Sequence, residues 1–292
     1  MWDLPISASA RPDSFDSFTP LVFLYPIRMS IHSSAIVSPE AEIGNGVRIG
    51  PFAIVEPGTV IGDRCLIEAS AQIRAGTRLG ADCFVGSGAI LGADPQYRGF
   101  DREIRSGVRV GNGNILREYV TLHRSIHEGG ETRLGEGNFL MAGSHVGHDA
   151  IVGSHNTLAN NVLLAGHVEL GDHCFLGGGS VFHQFVRVGD YVITQGNSGF
   201  SLDLPPYVIG SDINMVVGIN AVGLKRAKFA PEDLSRIKTA FREVFWGDST
   251  LREILDAVII EDLPPALRKF YEFLGRESKK GICIRPSRGG KI

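Results

Sequence analysis

The chain has 292 residues, with Lys+Arg 29 against Asp+Glu 32 and a formal net charge of −3. That balance gives no basis for nucleic acid as a partner or for a polybasic membrane anchor, and no apolar run reaches the roughly 18 residues of a transmembrane segment. Its four cysteines have neither disulfide-framework nor metal-ligand spacing, which fits small reduced core residues in a cytoplasmic protein.

Residues 1–28, rich in Ser and Pro, have no periodicity and no basic stretch ahead of their short apolar piece. They read as neither a secretory signal nor a transit peptide, but as a disordered N-terminal extension with Met29 a second possible start.

From 29 to 222 one rule dominates. Stepping by six from Ile31 gives Val37, Ile43, Ile49, Val55, Ile61, Ile67, Ile73, Leu79, Val85 and Leu91, all aliphatic. A second run covers Val110, Leu116 and Leu122. A third runs from Leu134 through Val146, Leu164 and Phe182 to Val188, breaks at Thr194 and resumes at Phe200. Four residues after most hits stands a small or β-branched residue, such as Ala53, Cys65 or Cys83, and glycine often follows the hit directly. A helix repeats at 3.6 and a half-buried strand at 2, so a strict period of six fits neither. It predicts a parallel β-helix with one short strand per hexad. The aliphatic points inward, the small residue fits the inner corner, and glycine permits the corner dihedrals.

Two stretches, 93–107 and 124–133, interrupt the period, and loops that leave a rigid solenoid commonly carry function. Beyond 222 the hexads stop. A helix is predicted over 231–247, with Leu234, Ile237, Phe241, Val244 and Phe245 on one face and Pro231 in its first turn; two more follow over 249–260 and 264–275. A helical domain over 223–292 would cover the open end of the solenoid.

Register concentrates the histidines. Val146, Leu164 and Phe182 are one coil apart, and Leu122 joins them if about one hexad of the second insertion loops out. Beside these hits lie His123, then His145 and His148, then Gly166 and His167, then His183 and Gln184. With coils about 4.8 Å apart, the imidazoles form one outer stripe. His155 and His173 stack on another face, as a surface ladder with no role.

The segments NILREYVTLHRS (114–125), NFLMAGSHVGHDAIVG (138–153), LANNVLLAGHV (158–168), VFHQFVRVG (181–189), DLPPYVIG (203–210) and GLKRAKF (223–229) resemble the acyl-[acyl-carrier-protein]–UDP-N-acetylglucosamine O-acyltransferases of lipid A synthesis. The likeness covers about residues 30–286. It implies an all-β left-handed parallel β-helix followed by a small C-terminal α-helical domain, assembled as a homotrimer with sites between neighbouring prisms. It also implies transfer of an (R)-3-hydroxyacyl group from acyl carrier protein to the 3-hydroxyl of a UDP sugar. The carrier's phosphopantetheine arm is the donor, with no cofactor and no metal.

A sugar hydroxyl needs a general base near neutral pH, and histidine suits that task. The resemblance assigns the base to His148, with Asp149 orienting it and the Gly166 amide meeting the oxyanion. No Gly-x-Ser-x-Gly elbow occurs, which favours direct attack over an acyl-enzyme. By the same resemblance, His123, His145, His167, His183, Gln184, Gln96, Arg98, Asn220 and Arg226 bind the substrates. Gly196, with Ile213 and Met215, limits the acyl chain, and glycine at 196 implies a long one.

The chain departs from the family in a shortened first insertion, with Arg98 where a lysine is usual. Val222 and Ala227 stand where a glutamate and a second arginine are common. An N-acyltransferase acting on a 3-amino UDP sugar is therefore an alternative. So is a zinc lyase of the carbonic-anhydrase type using His145, His148 and His167. Exposed Lys225, Arg226, Lys228 and Arg242 could meet an acidic carrier protein.

Overall fold

The computed structural model describes residues 30–283; the extension expected over 1–28 lies outside them. The period of six folds into strands mostly two residues long, arranged as sheets of 11, 9 and 8 strands. Each hexad turns onto the next sheet, so every third hexad returns to the same one. In the nine-stranded sheet Val37 pairs with Val55, Val55 with Ile73 and Ile73 with Leu91, all in parallel. The stacked aliphatics fill the prism: Ile61, Ile67, Leu116, Leu140, Leu158 and Leu164 are all fully buried. Burial of each such side chain stabilises the coil by about 1.5–3 kcal/mol. The corner residues Ala53, Cys65, Cys83 and Cys174 are buried too, and all four cysteines are free.

Glycine acts differently from expectation. Apart from Gly92, the glycine directly after the hit is not in the left-handed region. It is glycine because the next coil is too close: a Cβ on Gly62 or Gly147 would meet backbone of that coil at 2.6 Å. The left-handed position is three residues after the hit. There glycine does serve the corner dihedrals, at Gly58, Gly88, Gly143 and Gly179, and elsewhere the position is occupied by Asp149, His155, Asn161, His167, His173 and Phe185, all with positive φ. Asn, Asp and His tolerate this conformation better than most residues.

Thr194, where the aliphatic run breaks, is still buried and inward; its hydroxyl accepts from the Gly177 N–H at 3.0 Å, which satisfies the polar group. The first insertion shifts the register so that Leu91 pairs with Leu122, and the second so that Leu122 pairs with Val146. The second offset exceeds a coil by one hexad, so Leu122 does join the stripe. That insertion is shorter than the sequence suggests, because Glu131–Leu134 is already strand.

The prism also ends earlier than expected. The last hexad in phase is at Phe200. After it Val208–Ser211 and Met215–Ile219 form an antiparallel hairpin on the 11-stranded sheet. Helix α1 (Ala221–Arg226) begins before the expected boundary, because Asn220 caps it. Helix α2 (Pro231–Trp246) matches its prediction and buries Leu234, Ile237 and Phe241. Helix α3 is only Leu251–Asp256, opened by a Thr250 capping box, and a 3-10 turn precedes α4 (Pro265–Gly275). The helices lock to the prism through Arg187, which pairs in a buried contact with Asp203 and donates to the α4 carbonyl Phe273 O at 3.5 Å and to Arg276 O, just beyond α4, at 3.3 Å. Tyr207, whose hydroxyl donates to Ala266 O at 3.0 Å, is a second tie. Among the described residues no helix is long and apolar enough to cross a membrane.

Candidate active site

His145, Leu163, Val181 and Gly199 follow one another up the outer face of the nine-stranded sheet. A cleft of about 540 Å³ opens against this face. Its lining includes the polar His123, His145, His148, His183, Gln184 and Gln96 and the apolar Leu163, Val181, Phe182, Gly199, Phe200 and Ile213.

The corner beyond the sheet organises the histidines. Asp149 is in the left-handed conformation, which turns its carboxylate back on its neighbour: His148 Nδ1 lies 2.9 Å from Asp149 Oδ2. The same carboxylate accepts from the Ser125 hydroxyl and, at 3.1 Å, from the Ile126 N–H of the second insertion. Burial pushes the Asp149 carboxyl up, but the hydrogen bonds from His148, Ser125 and Ile126 outweigh it and bring it down to about 2. Asp149 is therefore an anion at neutral pH and acts only as an acceptor. Assigning the Nδ1 proton to this contact leaves His148 Nε2 with the lone pair. That atom faces Gly166, where a Cβ would lie 2.6 Å from it. Among the described residues the Gly166 N–H has no hydrogen-bond partner.

Two neighbouring imidazoles, His123 and His145, are shifted towards the neutral form. Burial, then the neighbouring His145 and His148, push His123 down to about 4. Burial, then His148, lowers His145, whose Nδ1 bonds the Thr121 hydroxyl at 2.8 Å. Their rings meet edge to face at 4.8 Å. His183 is exposed and receives Lys280 Nζ at 3.2 Å from the C-terminal segment.

Several expected residues lie elsewhere. His167 is at the corner behind Asp149, outside the cleft, stacked on Phe185 at 4.6 Å. Asn220 spends both ends of its amide on structure, donating to Tyr191 O and accepting from the Gly223 N–H. Arg226 and Arg98 are exposed and do not line the cleft. Gly196 turns at an exposed corner and Met215 sits in the hairpin, so neither lines the cleft; Ile213 does, and a Cβ on Gly199 would touch its Cδ1 at 3.0 Å. His145, His148 and His167 do not form a ligand set within this chain. The His155–His173 ladder is present, stacked at 5.0 Å.

Sequence reasoning missed Ser125, Thr121 and Gly199. Gly199 was findable, being three coils beyond His145 on the same face. Ser125 was not, because its contact depends on how the insertion folds.

A β-helix of hexapeptide coils carrying a carboxylate-oriented histidine over an open cleft defines the hexapeptide-repeat transferases. A profile of the bacterial transferase hexapeptide repeat matches residues 58–93 and 131–166. One described as UDP N-acetylglucosamine O-acyltransferase, domain 2, matches 203–283. The acyl-[acyl-carrier-protein]–UDP-N-acetylglucosamine O-acyltransferase of Sulfurihydrogenibium sp. is 46% identical over 89% of this chain and 96% of its own. That of Halorhodospira halophila is 43% identical over 74% and 84%. Among solved structures, the UDP-N-acetylglucosamine acyltransferase of Francisella novicida superposes with a TM-score of 0.84 at 32% identity, covering 88% of this chain and 95% of that one. That of Bacteroides fragilis gives 0.80 at 35%, covering 86% and 98%. The chain belongs to the acyl-[acyl-carrier-protein]–UDP-N-acetylglucosamine O-acyltransferase family and has its left-handed β-helix.

Proposed function

We propose that this protein transfers an (R)-3-hydroxyacyl group from acyl carrier protein to the 3-hydroxyl of UDP-N-acetylglucosamine, the first step of lipid A biosynthesis, with His148 as general base. The observation that carries the residue assignment is the Asp149–His148 contact at 2.9 Å, which aims Nε2 at the cleft beside Gly166. The sugar hydroxyl attacks the thioester carbonyl while Nε2 takes its proton. The tetrahedral oxyanion is met by the Gly166 N–H. The C–S bond then breaks, and the pantetheine sulfur leaves with the proton returned by His148. Asp149 keeps the ring in the required tautomer and stabilises the transient imidazolium. His123 and His145, held neutral by burial, offer hydrogen bonds to the sugar without adding charge. The acyl chain lies along the apolar residues of the cleft lining, where Gly199 and Ile213 form part of the wall.

The scheme uses no metal, and its donor is the carrier's phosphopantetheine arm. Lys225, Arg226, Lys228 and Arg242 are exposed basic side chains suited to an acidic carrier. Leu163, Phe175 and Val181 leave large apolar side chains exposed on flat prism faces, which supports a homotrimer. Free cysteines suit a cytoplasmic enzyme.

The test is product mass after incubation with UDP-N-acetylglucosamine and (R)-3-hydroxyacyl carrier proteins of several lengths, with His148→Ala alongside. An ester product lost in the variant supports the reading. Undiminished turnover in His148→Ala removes the base assignment. Product only from a 3-amino UDP sugar would replace the ester with an amide.

A further inference from the structure

A second chemistry-bearing cluster shares Asp149 with the base, and its His167 ring meets the His148 ring edge to face at 5.1 Å. His127 in the second insertion, Asp149 and His167 each offer one ligand atom, all within 4.8 Å of one another. His167 Nε2 is 4.0 Å from Asp149 Oδ2, and the His127 and His167 ring centroids are 6.1 Å apart. None of the three lines the substrate cleft.

We propose that His127, Asp149 and His167 form a binding site for a divalent transition-metal ion of the zinc class, and that its occupancy inhibits the enzyme. Two imidazoles and a carboxylate are a zinc donor set, which leaves a fourth position for water. Zinc bonds of about 2.0–2.2 Å put tetrahedral ligand atoms about 3.3 Å apart, so the group must close by up to about 1.5 Å. His127 is the exposed member and can supply that movement with its side chain. Its backbone is fixed, with the N–H donating to Ser125 Oγ at 3.0 Å and the carbonyl accepting from Gly130 at 2.9 Å. The other two ligands are already oriented. Phe185 stacks on the His167 ring, and Ser125 and the Ile126 N–H hold the carboxylate. Such supporting contacts set ligand geometry in metal sites.

Inhibition follows from the shared carboxylate. Asp149 Oδ2 is the atom that holds His148 Nδ1. A cation on Asp149 neutralises the charge that orients the ring and stabilises its protonated form. The ion sits behind the corner rather than in the cleft, so it lowers kcat and leaves KM unchanged.

The inhibitory half rests on the acyl-transfer reading; the binding half does not. The test uses the full chain and His127→Ala, a variant outside the catalytic group. Binding is read with CoCl2 by visible absorption and with ZnCl2 by calorimetry; turnover is read against ZnCl2. The expected result is one site per chain in the wild type, a tetrahedral cobalt spectrum, and inhibition in kcat only. His127→Ala should keep basal turnover, lose the spectrum, and weaken inhibition by at least about tenfold. Equal binding and inhibition in both proteins, no binding at micromolar metal, or a rise in KM alone would overturn the proposal. A cobalt spectrum lost in His127→Ala, in a protein that makes no acylated sugar, would keep the metal site and reject the acyl-transfer reading.

Discussion

Gly166→Ala isolates the position of the base from everything else in the site. Gly166 is not in the left-handed region, so alanine adds no backbone strain there. The variant also keeps the N–H proposed for the oxyanion. Its added Cβ, however, would lie 2.6 Å from both Cε1 and Nε2 of His148. Ordinary carbon contacts start near about 3.5 Å, so the imidazole must retreat by about 1 Å. A displacement of about 1 Å in a reacting group costs about 10²-fold in rate, equivalent to about 2.7 kcal/mol of barrier. The His148 side chain can rotate away, so the fold should tolerate the change. The assay is steady-state kcat with acyl carrier protein donor, paired with a thermal melt. Gly147→Ala is the contrast: its Cβ would meet the Gly166 backbone nitrogen at 2.6 Å, which no side-chain rotation relieves, so that variant should lose melting temperature first. Wild-type kcat in Gly166→Ala would refute the placement of His148 Nε2 against Gly166. A collapsed melt would refute the argument that the clash is confined to one side chain.

Asp149→Asn should fold normally yet lose kcat by about 10²-fold or more, because an amide can offer its NH2 group and no longer enforces the Nδ1–H tautomer; kcat near wild type would show that the contact is incidental. Arg187→Ala leaves the Asp203 carboxylate buried without its ion partner, a loss of about 3–5 kcal/mol. Denaturant melts should report that loss, with turnover retained at low temperature. His123, pushed down from 6.5 to about 4 by burial and by His145 and His148, stays unprotonated in the fold while the unfolded chain takes up a proton. Stability should therefore fall as pH drops from about 6.5 towards about 4, by at most about 1.4 kcal/mol per pH unit for this group. His145 and His167 are shifted the same way and add to the slope. Asp149, depressed to about 2 from 3.8, contributes stability that is present above 3.8 and lost only below it. Urea titrations at several pH values read the slope, and a flat profile would contradict the burial of His123.

The hexad period determined the prism by itself. A residue's inward or outward direction depends on its place within six residues and on nothing distant, so Ile61, Leu140 and Leu164 are buried as their spacing requires. The same period put His123, His145, His148 and His183 on one stripe, because vertical neighbours follow from coil length alone. The helix over 231–247 was legible for the same local reason, its apolar spacing.

Contacts that cross between coils at a corner, or come from an insertion, were not legible. The sequence put Asp149 beside His148, but its carboxylate reaches His148 because the corner backbone is left-handed, and it is held there by Ser125 from an insertion whose path no periodicity encodes. Asn220 resembles a binding residue in its motif yet is used as a helix cap, since α1 starts where the hairpin ends. His127 is an unremarked histidine in the chain; only folding of the insertion back over the corner brings it within 4.8 Å of His167 and Asp149. Period fixes direction, while the length and path of the insertions fix which directions meet.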